Sequence, residues 1–363
     1  SVQLYTWVDD VNDVDGVVDD DELTSLGSAA TVANSAFSID VDLAEGTHKV
    51  VAKQTDVAGN VSAVSSVLDI TVDETADATP GSLDLAAADD ANITDDNITS
   101  NTTGLTISGT GVNDSSVQLY TWVDDVNDVD GVVDDDELTL LGSAATVANS
   151  AFSIDVDLAE GTHKVVAKQT DVAGNVSAVT AAGDALTITV DETADAAPTS
   201  LDLDAADDTS TNNDDITSNT SDLSISGSGV NDSSVQLYTW IDANGDDAVD
   251  EDEVTALGSA ATVANGAFSI DVSLAEGTHK IVATQMDVAG NDSAASTALQ
   301  ITVDQTANAP ADLALAAADD TNIDDDGITT NTTGLTITGS GENDASVQLY
   351  TWVDDVNDVD GVV

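Results

Sequence analysis

Cysteine is absent from this 363-residue sequence, and basic side chains are almost absent. Without cysteine the chain forms neither disulfides nor thiolate metal sites. Five lysines and no arginine stand against 70 aspartates and glutamates, which gives a formal net charge of -65. Nucleic acids and anionic membrane surfaces are excluded as partners, because both are recognised through clustered Lys and Arg. The charged partners that this sequence favours are cations.

Long apolar runs are also missing. The sequence has no apolar run of about 18 residues, so no transmembrane helix is expected. No signal peptide is recognisable, but the sequence begins inside a repeat, so this says little about export. Hydrophobic residues still make up 41% of the chain, and they alternate with polar residues in short runs. Such runs predict folded β-strands rather than the disorder that a high net charge alone would suggest.

Repetition is the dominant feature of what is present. The string Ser-Val-Gln-Leu-Tyr-Thr-Trp begins at Ser1, Ser116, Ser234 and Ser346, at intervals of 112 to 118 residues. This length predicts a tandem array of single domains. The expected units are unit 1 (1–74, third to seventh strands only), unit 2 (75–193), unit 3 (194–308) and unit 4 (309–363, first to third strands only). We interpret the chain as a window from a longer array, whose complementary end pieces would pair between copies.

Each unit contains seven short runs with a period of two and no helical stretch. In unit 2 the predicted strands lie near Ser82–Ala87, at Leu105 and Ile107, at Ser116–Val123, near Glu137–Val147, from Phe152 to Leu158, near His163–Thr170 and from Leu186 to Val190. The pattern predicts an all-β fold of tandem immunoglobulin-like β-sandwich domains. Each short linker holds one of the three prolines of the chain, which favours an elongated rod. The predicted linkers are 73–80, 191–198 and 304–310.

The loop after the third strand, here called the acidic loop, has the spacing of a calcium site. In unit 3 oxygen-bearing side chains fall at positions 1, 3, 5, 9 and 12 of an EF-hand-type loop. A main-chain carbonyl at position 7 completes the set. The predicted ligands are Asp242, Asn244, Asp246, Ala248, Asp250 and Glu253. Glycine is usual at position 6, because that position needs a left-handed backbone. Asp247 stands there in unit 3, and Asp tolerates this backbone conformation.

Units 1 and 2 carry two more residues in the acidic loop. Counting back from the final glutamate, the predicted ligands are Asp10, Asp13, Asp15, Val17, Asp19 and Glu22 in unit 1, and Asp125, Asp128, Asp130, Val132, Asp134 and Glu137 in unit 2. Asp9 and Asp124 are alternatives for the first position. Residues 9–22 hold eight carboxylates, whose mutual repulsion a divalent cation would relieve. Calcium is favoured over magnesium, which prefers water and few carboxylates. The alternative is a solvated acidic hairpin tip.

A second acidic group, here called the aspartate cluster, lies between the first and second strands. Its predicted calcium ligands are Asp89, Asp90, Asp95 and Asp96 in unit 2, and Asp207, Asp208, Asp214 and Asp215 in unit 3; unit 4 has Asp319, Asp320, Asp324, Asp325 and Asp326. Because each short loop reverses the chain, the aspartate cluster, the acidic loop and the end of the seventh strand share one pole. We expect this pole to face the next unit, so that calcium orders the junction. The alternative role is charge for solubility.

Catalytic patterns are not evident. His48, His163 and His279 each open a predicted sixth strand without a neighbouring His, so a structural role is expected. No Gly-x-Ser-x-Gly elbow occurs, and the strand pattern suggests no cleft, so we expect no enzyme. Tyr120 and Trp122 share one strand face and are expected to cover the sandwich, although such a pair also stacks on sugars.

Two segments of unit 2 resemble bacterial Ig-like repeats: 161–177, with its Asp-Val-Ala-Gly-Asn turn, and 188–195, followed by Pro198. Such repeats occur in giant calcium-binding, RTX-like biofilm adhesins, including those exported by type I secretion. The resemblance implies an extracellular or cell-surface extender with calcium near its domain junctions. The long acidic loop departs from the family pattern.

The leading hypothesis is therefore an adhesin extender whose partners are calcium and the neighbouring repeats. The alternatives are a filament or surface-layer subunit that assembles through its end pieces, and a carbohydrate-binding module.

Overall fold

The computed structural model describes residues 1–9, 16–90, 93, 95–124, 130–209, 213–321, 325–343 and 345–351. This part of the chain contains β-strands and a few three-residue 3-10 turns but no α-helix. Accordingly, it has no helix long and apolar enough to cross a membrane. The strands are β1 (Val2–Trp7), β2 (Leu23–Ala30), β3 (Gly46–Gln54), β4 (Leu68–Val72), β5 (Gly81–Leu85), β6 (Ile98–Thr99), β7 (Leu105–Thr110), β8 (Ser116–Trp122), β9 (Leu138–Thr146), β10 (Ala151–Val156), β11 (Gly161–Thr170), β12 (Leu186–Val190), β13 (Thr199–Leu203), β14 (Ile216–Thr217), β15 (Leu223–Ser228), β16 (Ser234–Trp240), β17 (Val254–Thr262), β18 (Ala267–Val272), β19 (Gly277–Met286), β20 (Leu299–Val303), β21 (Ala311–Leu315) and β22 (Ile337–Ser340).

Units 2 and 3 are each a sandwich of two sheets. In unit 2 one sheet has the order β10-β7-β5 and the other β6-β12-β11-β8-β9. Unit 3 repeats this arrangement with β13-β15-β18 and β14-β20-β19-β16-β17. All pairs are antiparallel except β12 with β6 and β20 with β14, which are parallel. The predicted all-β, Ig-like sandwich is confirmed.

Alternation of side chains builds the core. On β10 Phe152, Ile154 and Val156 point inward and are at most 5% exposed, whereas Ser153 and Asp155 point outward. Side chains along a strand alternate between its two faces. A shift of one residue in the pairing would therefore turn the apolar side chains outward, so the observed register is the one that buries them. The inward faces of both sheets meet in one continuous cluster per unit.

The end pieces form fewer strands than the sequence predicts. Unit 1 has the sheet β2-β1-β3-β4, but its predicted fifth strand, around Phe37, is unpaired. Among the described residues of unit 4 the strands are β21 and β22, and the predicted third strand is not formed at 346–351. In unit 2 the corresponding strands are held by β7 and by β9 and β11. Without such partners an alternating segment gains too little from pairing to form a strand.

Hydrogen bonds from the following unit hold the linkers. The Asn175 side chain donates to the Asp73 carbonyl at 2.9 Å. In the next junction Asn291 donates to the Asp191 carbonyl at 2.8 Å. Both asparagines end the Asp-x-Ala-Gly-Asn type of turn after the sixth strand. The prediction that this turn meets the linker of the preceding unit is confirmed.

In the second of these junctions the preceding unit holds the linker from the other side. The Asp191 amide donates to the Thr99 carbonyl at the end of β6, at 2.8 Å. The next amide, that of Glu192, donates to the Glu160 carboxylate at 2.7 Å. The amide of Asp191 is therefore bonded to unit 2, and its carbonyl is bonded to unit 3. A linker held in this way has little freedom to swing.

The turn that carries the asparagine is itself built on a carboxylate. Asp171 accepts from the backbone amides of Ala173, Gly174 and Asn175, and from the Asn175 side chain. The Asn175 side chain is the main cause that lowers the Asp171 pKa below the usual value of 3.8. Asn60 does the same for Asp56 in unit 1, where no linker precedes the turn in this sequence.

A core substitution in unit 2 tests the sandwich. Ile107 is fully buried between the sheets, so Ile107→Ala should cost about 2–5 kcal/mol through lost burial and a cavity. Leu140 is 69% exposed, and unit 1 has Ser25 at that position. Leu140→Ser should therefore stay within about 0.5 kcal/mol. Hydrogen exchange of β11 peptides, measured by mass spectrometry, gives the local free energy of opening; equal effects of both variants would contradict the assigned core.

A second prediction concerns the junction. Asn175→Ala removes both side-chain bonds, so we expect roughly a fivefold larger population of undocked junctions, corresponding to about 1 kcal/mol. The chain has no Cys, so spin labels can be attached to cysteines introduced by Thr24→Cys and Ser153→Cys. Pulsed electron resonance should then show a broader distance distribution between units 1 and 2.

Asn60→Ala is the matched control for the junction. It should raise the Asp56 pKa toward 3.8, as Asn175→Ala should for Asp171, but leave the interdomain distances unchanged. A turn pKa below 3.8 means that its contribution to stability is complete above pH 3.8 and is lost as the pH falls through the folded pKa. If Asn60→Ala broadened the distances as much as Asn175→Ala, the contact with Asp73 would not be the cause.

Candidate cation sites at the acidic loops

The acidic loop of unit 3 is curved by hydrogen bonds from its own side chains to its backbone. Asp242, at position 1, accepts from the amides of Gly245 and Asp247 at 2.7 and 3.3 Å. Asn244 and Asp246, at positions 3 and 5, each accept from the amide two residues further on, at 2.9 Å. These local bonds turn successive side chains toward the inside of the loop. The predicted ligand spacing therefore corresponds to a real curvature of the chain.

An amide group bridges two carboxylates at the centre of this loop. The Asn244 side-chain nitrogen donates to Asp246 at 3.2 Å and to Asp250 at 3.3 Å. Positions 3, 5 and 9 are thus brought together around the positive end of an amide dipole. A cation bound among the same oxygens would neutralise the two carboxylates more effectively.

Glu253, at position 12, anchors the loop. One of its oxygens accepts from the amides of Ala243 and Asn244 at 2.9 and 3.2 Å, and the other accepts from the Trp240 indole at 3.3 Å. Glu253 is only 8% exposed. This carboxylate closes the loop by joining its two ends. Because the Trp240 indole donates to this carboxylate, any movement of the loop would change the environment of the indole.

The backbone at position 6 is left-handed, as the sequence predicts. Asp247 has φ 59°, while Gly16 and Gly131, at the same position in units 1 and 2, have φ 73° and 72°. Asp is one of the few residues besides glycine that adopts this region at low cost. The presence of Asp instead of glycine at this position in unit 3 therefore leaves the path of the loop unchanged.

Only part of the ligand set of units 1 and 2 belongs to the described structure. Asp10, Asp13 and Asp15 of unit 1, Asp125 and Asp128 of unit 2, and Asp324 and the acidic loop of unit 4 lie outside the described residues. The remaining predicted ligands are Val17, Asp19, Glu22, Asp130, Val132, Asp134 and Glu137.

The final glutamates of these two loops repeat the anchor of unit 3. Glu22 and Glu137 accept from the indoles of Trp7 and Trp122 at 2.8 and 2.9 Å. Each also forms a reciprocal pair of hydrogen bonds with the aspartate three residues earlier, Asp19 or Asp134: each side chain accepts from the backbone amide of the other residue. The alternatives for the first position, Asp9 and Asp124, each have one buried carboxylate oxygen with no hydrogen-bond partner.

An apolar contact and an ion pair fasten the acidic loop to the outer face of the larger sheet. In unit 2 Val133 packs with Trp122 and Val166 in a small cluster of its own. Lys168 pairs with Asp135 of the same loop. Lys53 and Asp20 form the same ion pair in unit 1, but unit 3 has Thr284 in place of the lysine. The unit 3 loop therefore lacks this internal cation.

The carboxylates do not by themselves form a finished metal site. Across the described ranges no three or more His, Asp or Glu side chains are gathered closely enough to hold a metal ion. Binding at the acidic loops thus requires the side chains to move inward around the ion. The calcium ligands remain a prediction.

The aspartate cluster divides into capping and buried carboxylates. Asp89 accepts from the Thr106 amide, and Asp207 from that of Ser224, so these two cap the neighbouring strand. Asp90 and Asp208 are 5% exposed. In each, one oxygen accepts from loop amides and the other has no partner.

The cluster also includes a residue that the search for acidic side chains missed. Asn97 follows Asp96, and its side-chain oxygen is buried without a partner. Asp215 holds the same position in unit 3 and has the same kind of unpartnered oxygen. Because asparagine is not acidic, composition does not single it out, and the burial of its oxygen is seen only in three dimensions. Of the predicted ligands, Asp95 instead contributes its backbone amide, and Asp214 caps the Ile216 amide.

Crowding of negative charge is visible in the pKa values. Burial raises the pKa of Asp96, and the adjacent Asp90 carboxylate raises it further. Burial also raises the pKa of Asp215, with added repulsion from Asp202 and Asp208. In unit 3 Asp202 and Asp208 are therefore close enough to oppose the ionisation of Asp215.

The other candidate residues have structural partners. His163 donates to the Ala159 carbonyl at 2.7 Å, and the other two histidines make the same bond to Ala44 and Ala275. Lys164 lies 4.4 Å above the centre of the Trp122 ring, and that residue is 3% exposed. The tryptophan face that could stack on a sugar is thus covered.

Comparison with known proteins identifies the units. The family model described as the bacterial Ig-like domain matches residues 5–74, 77–192 and 195–305. No curated protein matches the sequence. Solved structures that are similar include the FN1–FN3 domains of chicken CNTN1, with 12% identity, a TM-score of 0.32 and coverage of 84% of this chain and 91% of that one. The fibronectin(III)-like modules of Clostridium thermocellum CbhA match with 16% identity, a TM-score of 0.31 and coverage of 61% and 94%.

These overlays are too loose to support any functional argument. The family matches, in contrast, cover most of the chain in three successive copies and coincide with the sheets of units 1, 2 and 3. The chain belongs to the bacterial Ig-like domain family.

Proposed function

We propose that the chain is a structural extender of a secreted or cell-surface adhesin, made rigid by calcium at the acidic loops near its domain junctions. The observation that carries this proposal is the doubly held linker. Asp191 donates to Thr99 of unit 2 and accepts from Asn291 of unit 3. Domains joined by a linker that is fixed at both sides keep a constant distance from each other, as an extender requires.

The charge distribution supports the choice of a cation as the rigidifying partner. The acidic loop follows the end of β8 or β16, and that strand end lies beside the start of β11 or β19. The starts of β11 and β19 pair with the ends of β12 and β20, from which the linkers leave. Repulsion among carboxylates at this pole opposes close approach of the next unit. A divalent cation would remove that repulsion where the linker begins.

The acidic loop of unit 3 gives a direct test. The double variant Asp246→Asn/Asp250→Asn removes two carboxylates but keeps Glu253, so the anchor to Trp240 is retained. Calcium affinity in such loops follows the number of charged ligands, so we expect at least about tenfold weaker binding at this loop. Calorimetric titration of the full chain with calcium measures the change, and Trp240 fluorescence reports it locally.

The control is Asp271→Asn, which removes one charge from an exposed position on β18 and should leave calcium binding unchanged. Small-angle scattering of the unaltered chain should show a larger maximum dimension with calcium than with chelator. The melting temperature should also rise with calcium. At a calcium concentration about 100-fold above the dissociation constant, the free energy of unfolding should increase by about 2.7 kcal/mol. Equal dimensions and equal melting in both conditions would refute rigidification.

A further inference from the structure

A groove of about 530 Å³ lies on the outer face of the larger sheet of unit 3. Tyr238 and Val282 line it from the sheet itself, where they face each other across β16 and β19. The acidic loop contributes Val249 and Glu251, and the segment after β19 contributes Asp292. The lining thus combines apolar side chains with acidic residues from two separate segments of the chain.

Units 1 and 2 place an ammonium group of their own at the corresponding position. In unit 2 Lys168 stands where unit 3 has Thr284, and it pairs with Asp135, which corresponds to Glu251. The Lys168 side chain is only 16% exposed, so most of its alkyl chain is covered. Lys53 forms the same ion pair in unit 1, where its side chain is 15% exposed. This place in the fold therefore accepts an alkylammonium group in two sibling units.

Three exchanges to smaller side chains accompany the groove in unit 3. Besides the loss of the lysine, Leu138 and Val179 of unit 2 correspond to Val254 and Ala295 of unit 3. In unit 2 these two larger side chains pack against the cluster that holds the acidic loop. In unit 3 both smaller residues line the groove, together with Thr284. The groove is therefore space that larger side chains of the chain itself occupy in unit 2.

A fourth exchange adds a negative charge to the same groove. Asp292 corresponds to Val61 in unit 1 and to Val176 in unit 2. Relative to unit 2, the replacement of lysine by Thr284 removes one positive charge, and Asp292 adds one negative charge. A ligand that restores both would carry two positive charges joined by an apolar chain. Calcium and magnesium have no such chain, and their charge is confined to one point.

We propose that the groove of unit 3 binds a linear aliphatic diamine. One ammonium group pairs with Glu251, as the lysine does with the corresponding residue in the other units, and the second pairs with Asp292. The methylene chain lies on Tyr238 and Val282, where burial of its apolar surface is favourable. Glu251 is not one of the predicted calcium ligands, so this inference does not rest on the proposed function.

Bound diamine would connect the acidic loop with the contact that holds the linker. Asp292 directly follows Asn291, whose side chain donates to the Asp191 carbonyl. A ligand held by both Glu251 and Asp292 would therefore tie the loop to the turn at the junction of units 2 and 3. The diamine acts here as an external counterpart of the lysine that unit 3 lacks.

The variant Thr284→Lys gives unit 3 the lysine of its siblings and tests the site directly. It should fold, because units 1 and 2 already carry lysine at this position. The new ammonium would pair with Glu251 and repel the ligand, so binding of cadaverine should weaken by at least about tenfold. The matched control is Asp271→Asn, which changes the net charge by the same amount at an exposed position on β18 and should leave binding unchanged.

The second ammonium group is tested with a monoamine of the same chain length. Calorimetric titration of the full chain, in calcium-free buffer at physiological ionic strength, compares cadaverine with pentylamine. Asp292→Val introduces the residue of units 1 and 2 and should weaken cadaverine binding by about two- to fivefold, with little change for pentylamine. Equal affinities of the two amines for the unaltered chain would overturn the assignment to a diamine.

Hydrogen exchange, measured by mass spectrometry, locates the ligand. Cadaverine should slow exchange in segments 249–254 and 292–295 of unit 3. The corresponding segments of unit 2, 133–138 and 176–179, are the internal control and should not change. Protection shared equally by both units, or protection that Thr284→Lys does not remove, would indicate general attraction of a dication to an acidic chain. Either result, or an absence of binding, would overturn the proposal.

Discussion

Repulsion among carboxylates is the constraint on which the rest of the structure depends. The 70 acidic residues face only five lysines, and each lysine is already engaged. Lys49, Lys164 and Lys280 lie over the tryptophans that end β1, β8 and β16. Lys53 and Lys168 pair with the acidic loops. The internal cations are thus concentrated on the strands beside the acidic loops, and none is left for the aspartate cluster.

The fold tolerates this charge because the sandwich separates it from the core. Buried positions on β10 and β18 are apolar, while Asp and Ser occupy the outward positions of the same strands. Most charge is thereby exposed to solvent, where salt screens it. The exceptions include buried carboxylates at the linker pole, such as Asp90 and Asp208. Their burial has a stability cost that the core must offset, which is why their recurrence carries functional information.

Much of this architecture was predictable from alternation alone. Residues such as Phe152, Ile154 and Val156 specify a strand and its inward face without any knowledge of the partner strand. Pairings that depend on partners were not predictable in this way. The two-residue strand β6 is too short to show a period, and the segment around Phe37 has a strand pattern but remains unpaired.

The candidate sites show the same limit. The spacing of Asp242, Asn244 and Asp246 anticipated the curvature of the acidic loop, because local hydrogen bonds are encoded locally. The burial of the Asn97 side-chain oxygen depends on packing in three dimensions, so composition gave no signal for it. Glu253 was predicted as a ligand, yet its contacts with Trp240 and two loop amides give it an anchoring role that spacing could not reveal.

Geometry and charge have separate roles at the junction. Hydrogen bonds to Asp73 and Asp191 fix the direction of the first two linkers using neutral groups, so this part of the junction does not need a cation. The carboxylates of the same pole act against it, since ionised side chains repel each other when the units dock. The doubly held linker and the repulsion among the carboxylates of this pole therefore oppose each other. A cation that removes the repulsion need not create any contact between units, because the contacts are already encoded in the asparagine turns.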